Sequence, residues 1–321
     1  RRGHDGRFRL ISRRGSYHGA TGGVLFLGSV PTAPRTDYEP GPPGMVYAPQ
    51  PNAYRCELGS TSREECAVKC AEAIEELIQF HGPGTVAAVI AEPVASGPGA
   101  VMPDPVYWQM LREICTRHDV LLIADEVITG FGRTGKLFAI EHFGIVPDIM
   151  SIAKGISSSY LPLGATLATD EVAAEFATEG KHLKHVFTFA GHPASAAAGL
   201  KNIELIEAEG LVDNAAETGE YLAGKLRELQ DRHQIIGDVR GVGFMQALDL
   251  VANRETREIF PAETKLIERI NNRFKARRLL IKAHSGHILS LSPPLCTTRD
   301  DLDEILNGIS ETLGEVEAEL G

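Results

Sequence analysis

The chain has 321 residues, 43% hydrophobic and 23% charged, with a formal net charge of −11. That length and mix describe an ordinary globular protein with room for more than one domain. The acidic balance argues against a general nucleic-acid or anionic-membrane binder, and no apolar run approaches the roughly 18 residues that a membrane span needs.

The chain opens at Arg1 with six arginines by residue 14. Phe8 to Ser12 (FRLIS) reads as a short strand, and no amphipathic helix precedes it. The preferred expectation is that a natural N-terminal segment is missing ahead of Arg1, with a cleaved leader as the alternative. Ser62 and Glu65 then form a capping-box signature. Apolar positions follow at Ala67, Cys70, Ala71, Ile74, Leu77 and Ile78, with Gly82 past the end, which predicts a helix. Residues 86–91 (VAAVIA), 120–124 (VLLIA) and 149–153 (IMSIA) are short apolar runs suited to a parallel sheet covered on both faces. Asp104 and Pro105 begin a helix between the first two. Strands alternating with helices predict an α/β fold with a mostly parallel sheet.

After about residue 193 the pattern changes. A long helical region runs from Pro193 to about His233 and is interrupted near Gly210. Strand-like segments (243–251 and 287–292) and two more helices follow. The last helix has Thr298 as its expected N-cap and Leu302, Ile305, Ile309 and Leu313 on one face. The expected organisation is a large domain over residues 1–209 and a smaller C-terminal α+β domain over 210–321. The five cysteines, Cys56, Cys66, Cys70, Cys115 and Cys296, include no CxxC pair. They predict reduced thiols in a cytoplasmic compartment, and no metal site is expected.

Ligands of open α/β sheets bind beyond the carboxyl ends of the strands. Three of the predicted strands end in Glu92, Asp125 and Lys154. By the period of two, Ile123, Asp125 and Val127 share a face, so an acid could meet a ring nitrogen while the valine covers a ring face. Lys154 lies in an apolar setting (SIAKGI), where desolvation lowers an ammonium pKa and frees a nucleophilic amine. Singly, such a lysine is more often a solvated surface residue and such an aspartate a helix cap. Their meeting at one sheet edge is what argues for a site. Residues 130–135 (GFGRTG) match the dinucleotide fingerprint G-x-G-x-x-G. However, DEVIT separates them from the strand, no uninterrupted helix follows, and Asp148 precedes a strand where a ribose-binding acid should end one. These glycines are expected to shape a long loop.

The segments SYHGAT (16–21), AEPV (91–94), IADEVITGFGRTGKLFA (123–139), PDIMSIAKGISSSYLPLGA (147–165), FTFAGHP (187–193), GDVRGVGFM (237–245) and LSPPL (291–295) occur in order. Together they closely resemble the class III, ω-type aminotransferases of fold-type I, which depend on pyridoxal 5'-phosphate. The resemblance implies that Lys154 forms the Schiff base with the cofactor and that Asp125 binds its pyridine nitrogen. It places Val127 and Tyr17 on opposite ring faces, His18 beside the site and Glu92 buried near the cofactor. It assigns Thr188 to the phosphate of a neighbouring subunit's cofactor, and hence implies a homodimer with shared active sites. Partners are then a small amine donor and a keto-acid acceptor. Family members that use 2-oxoglutarate carry a glutamate and an arginine where this chain has Gly97 and Ser290, so pyruvate is the expected acceptor. A 2-oxoglutarate enzyme, an aminomutase or lyase of the same fold, and an inactive dimerisation scaffold are the alternatives. The family's N-terminal region, with its Ser/Gly-rich phosphate-binding loop, has no counterpart before Arg1, so weak cofactor binding by these residues alone is expected.

Overall fold

The computed structural model describes residues 5–30, 35–177 and 180–320. The chain runs through β1 (Arg9–Arg13), α1 (Gly22–Leu25), β2 (Met45–Ala48), α2 (Arg63–His81), β3 (Val86–Ala91), α3 (Pro105–Arg117), β4 (Leu121–Asp125), β5 (Ile149–Ile152), β6 (Ala165–Ala168), α4 (Asp170–Ala174) and α5 (Pro193–Ala208). It continues through α6 (Leu211–Arg232), β7 (Ile236–Val242), β8 (Met245–Leu250), α7 (Leu266–Ala276), β9 (Lys282–His284), β10 (Ile288–Leu291) and α8 (Arg299–Leu320).

The first six strands form one sheet in the order β2-β1-β3-β4-β5-β6. All neighbours are parallel except β5 and β6, which pair antiparallel. Helices α2 and α3 cover one face and bury Ile74, Ile78, Trp108, Leu111 and Ile114 against Val89 and Leu122. The apolar spacing of α2 therefore does its expected work. Ser62 Oγ accepts from the Glu65 amide at 3.0 Å, while the Glu65 carboxylate turns to the Thr61 amide at 2.8 Å. The capping box is thus displaced by one residue on its return arm. At α3, Asp104 caps the Val106 amide at 3.2 Å, with Pro105 in the first turn.

The second sheet is antiparallel, in the order β7-β8-β10-β9. Helices α6, α7 and α8 pack on it through Leu222, Leu226, Ile270, Phe274, Ile309 and Leu313. Thr298 Oγ1 accepts from the Asp301 amide at 3.2 Å, so the predicted cap of α8 forms. Among the described residues no helix is long and apolar enough to cross a membrane.

Asp249 of β8 is fully buried and ties the two halves of the chain together. Arg55 Nη2 donates to its Oδ1 at 2.7 Å and Arg55 Nε to its Oδ2 at 3.1 Å, while Arg240 Nη2 meets Oδ2 at 3.0 Å. Arg240 also donates to the carbonyls of Pro98 and Gly99, each at 2.7 Å, anchoring the loop after β3. Removing one member of a buried charge network leaves the others uncompensated, at a cost of about 3–5 kcal/mol. Asp249→Asn is expected to lower unfolding stability by that amount in urea titration. A loss below about 1 kcal/mol would show that the cluster is only a solvated pairing.

Candidate active site

The carboxyl ends of β1, β3, β4 and β5 lie side by side and open on one cavity of about 220 Å³, lined by Tyr17, His18, Glu92, Asp125, Val127 and Lys154 among others. Six of the seven residues singled out from the sequence therefore converge. Parallel pairing explains the convergence. Ala91 lies beside Ala124, and Asp125 beside Ser151, so Glu92, Asp125 and Lys154 leave the sheet at the same edge.

Asp125 is 6% exposed and its carboxylate is held on both oxygens. His18 Nδ1 lies 2.7 Å from Oδ2, and the Val127 amide donates to Oδ1 at 3.1 Å. The second bond closes a turn immediately after β4, and the turn brings Val127 back to the cavity wall. His18 Nε2 is buried and has no partner among the described residues. Lys154 starts a short 3-10 turn with φ of +45°, in the left-handed region that a non-glycine residue rarely adopts. It remains open to the cavity. Its ammonium pKa is lowered, first by desolvation and further by Lys282, while the Asp125 and Glu92 carboxylates oppose the shift.

Glu126, which sequence reasoning passed over, is fully buried. Its carboxylate accepts from Thr129 Oγ1 and from the amides of Ala139 and Ile140. Burial raises its pKa against these bonds. It pins the ends of the loop that carries GFGRTG. Within that loop a Cβ on Gly135 would lie 2.8 Å from Ala216 Cα, so glycine lets the loop press on α6. Asp148 accepts from Arg112 Nη1 at 2.9 Å and from the Leu122 amide at 2.7 Å, which commits it to the sheet. The loop reading of these glycines holds, and the dinucleotide reading has neither its helix nor its acid.

The profile of the family described as Aminotransferase class-III matches residues 1–313. The chain belongs to this family. A putrescine–pyruvate aminotransferase of Pseudomonas aeruginosa is 38% identical over 96% of this chain and 67% of its own length. A diaminobutyrate–2-oxoglutarate transaminase of Halomonas elongata is 42% identical over 80% of this chain and 56% of its own. Among solved structures, an amine transaminase from an uncultivated Pseudomonas species, in its PLP-bound form, superposes with a TM-score of 0.94 at 36% identity, over 98% of this chain and 71% of that one. The chain therefore spans about two thirds of the length of such relatives. The parallel sheet with a smaller antiparallel sheet is the α/β architecture expected from the sequence, and class III transaminases share it.

Around the class III core a larger cavity of about 1010 Å³ extends from Tyr17 and Lys154 to the second sheet, where Lys282, His284 and Ser290 line it. None of these wall residues except Ser290 stood out in the sequence. His284 Nε2 lies 2.8 Å from Ser290 Oγ. Burial, then Lys282 and His287, push the His284 pKa down to about 4, so the ring is uncharged at neutral pH. Gly97 also lines this cavity. A Cβ there would stand 2.2 Å from the Gly15 carbonyl oxygen and 2.4 Å from Val30 Cγ1. The seventh expected residue, Thr188, lines neither cavity and is exposed.

Proposed function

We propose that this chain is the larger part of a pyridoxal-phosphate-dependent transaminase that passes an amino group from an amine or ω-amino acid to a keto acid, with pyruvate as acceptor. One observation carries the reading: a buried, doubly held carboxylate (Asp125) and a partly desolvated lysine (Lys154) line a single cavity of ring size. Those residues suit the cofactor. Asp125 is placed to hold a proton on a pyridine nitrogen, and Val127 and Tyr17 offer flat apolar contact on the walls. Pyridoxal phosphate supplies an aldehyde that condenses with amines and a ring that withdraws electrons. With the cofactor bound, Lys154 would hold it and release it to the donor amine, and as a free amine would carry the proton taken from the donor carbon. His18 fixes the Asp125 carboxylate, and Glu92 contributes a second negative charge near the lysine.

Supporting a homodimer, the segment around Thr188 exposes Val186, Phe187 and Phe189, each at least 64% accessible. Apolar patches of this kind mark protein interfaces, and a partner docked there would let Thr188 serve that partner's cofactor phosphate. Because the Ala215, Leu222 and Leu226 side chains of α6 pack in the second core, we also place the domain boundary at Gly210. Free thiols at Cys56, Cys66, Cys70, Cys115 and Cys296 favour a reducing, cytoplasmic setting.

Pyruvate is favoured by the cavity wall. A dicarboxylate needs two cationic clamps, each best supplied by arginine. Ser290 stands bonded to an uncharged His284, and the backbone at Gly97 leaves no room for a glutamate. Arg133 lines the cavity but donates to the carbonyls of Phe244 and Pro293. Lys282 is left as the cation suited to one carboxylate. With a common amine donor and the full-length enzyme, pyruvate is expected to give the higher kcat/KM by about tenfold or more, a difference of about 1.4 kcal/mol. A higher value for 2-oxoglutarate would overturn the acceptor and leave the family intact.

A further inference from the structure

Arg13 closes β1 with a side chain that is 0% exposed, and the chemistry above gives it no part. An isolated guanidinium in such a place is costly, so what compensates it is informative. Its Nη2 donates to the Glu92 carbonyl oxygen at 2.5 Å and lies 3.5 Å from Glu92 Oε2. The Tyr107 ring supports it at 5.8 Å from the guanidinium carbon. Both contacts to Glu92 follow from topology: Ile11 of β1 lies beside Val89 of β3, so the two strands end together. Glu92 Oε1 has no partner among the described residues, and Glu92 lines the cavity that Asp125 and Lys154 share.

We propose that Arg13 is a positioning residue, which clamps the carbonyl and one carboxylate oxygen of Glu92 so that the other oxygen serves the cofactor cavity. The role rests on the aminotransferase reading of that cavity. Both contacts are made by the single nitrogen Nη2, so one end of the guanidinium reaches two oxygens of the same residue. Holding main chain and side chain together favours the observed placement of the Glu92 carboxylate. The Glu92 carboxylate is thereby kept at the cavity that Lys154 lines.

The sign of one shift separates positioning from a bare charge effect. The groups acting on the Lys154 ammonium are Asp125 and Glu92, which raise its pKa, and Lys282, which lowers it. If Arg13 works by holding Glu92, its loss weakens a favourable carboxylate and the Lys154 midpoint falls. If Arg13 acted only as a distant positive charge, its loss would raise the midpoint.

The test uses the full-length protein carrying Arg13→Gln, Arg13→Lys, Glu92→Gln and the Arg13→Gln/Glu92→Gln pair. In cofactor-free protein, the pH dependence of Lys154 reductive methylation is read by mass spectrometry. In the loaded enzyme, the visible cofactor band and kcat are measured. Arg13→Gln and Glu92→Gln are both expected to lower the Lys154 midpoint by about half a unit or more and, because an amine of lower pKa is a weaker base toward the donor carbon, kcat by about threefold, with Arg13→Lys between them and native. The double variant should add nothing beyond Glu92→Gln. An upward midpoint, or a loss of thermal stability with midpoint and kcat unchanged, would overturn the role. If Arg13→Gln does not fold, Arg13→Lys decides by the same criterion. A native protein that takes up no pyridoxal phosphate would remove the aminotransferase reading and this role with it. Native uptake with Arg13 variants indistinguishable from native would remove this role alone.

Discussion

Lys154→Ala in the full-length protein is expected to abolish amino transfer and the visible absorbance of bound cofactor, while the fold persists. The side chain has little packing to lose: it is exposed and stands open to the cavity just past β5. Its backbone carries a φ of +45°, a conformation that costs about 1–3 kcal/mol and survives only where the surroundings impose it. That strain sets the amine at the mouth of the strands, where burial lowers its pKa against the pull of Asp125 and Glu92. A larger free-amine fraction near neutral pH is what a nucleophile and proton carrier needs. Alanine removes both the covalent hold and the proton transfer, and the second alone contributes about 10²–10⁴-fold in rate. Turnover should fall by at least about a thousandfold, some 4 kcal/mol of barrier. Steady-state transamination and an absorbance spectrum check this, and turnover at the native rate would remove the assignment.

Much of the sheet and of the cofactor cavity could be read from local pattern. The runs 86–91, 120–124 and 149–153 became β3, β4 and β5 with bounds differing by at most one residue, because a strand covered on both faces reads as a continuous apolar run. The residues at or just past the ends of those strands were legible for the same reason: Glu92, Asp125 and Lys154 are polar side chains that interrupt apolar texture. Ser62, Asp104 and Thr298 were legible because capping chemistry acts within three residues.

What escaped depends on contacts that no local window contains. Strand β6 is exposed at every position and pairs antiparallel at the sheet edge, so it has no apolar run to announce it. Strand β9 is three residues long and exists through its pairing with β10. Lys282 and His284 enter the cavity wall only by that pairing. Arg13 meets a carboxylate 79 positions away, and in sequence it is one of several arginines near the start. Gly97 shows the difference between detecting a substitution and explaining it. Its identity could be compared with family members, but the reason for it, the Gly15 carbonyl against the missing Cβ, is a long-range approach.

Asp125→Asn is expected to reduce turnover by about a thousandfold or more while leaving the protein folded. The substitution keeps the shape of the side chain and an oxygen for the Val127 amide, which now donates to Oδ1 at 3.1 Å. The other arm must face His18 Nδ1, at 2.7 Å from Oδ2, as an amide N–H2. The imidazole can adapt by placing its proton on Nε2, which has no partner among the described residues. The local hydrogen bonds therefore survive, and far-UV circular dichroism and thermal unfolding should change little. What does not survive is the charge. A neutral amide at 6% exposure cannot balance a protonated ring nitrogen, and little water is present to do so in its place. Stabilisation aimed at a developing charge in a dry site is among the larger contributions to catalysis, and removing even one donor from such a site costs about 10²–10³-fold. Loss of the formal charge should exceed that, at about 4 kcal/mol of barrier or more. Single-turnover kinetics with a fixed amine donor measure the chemical step directly. A drop of less than about tenfold, or 1.4 kcal/mol, would show that Asp125 does not partner the ring nitrogen.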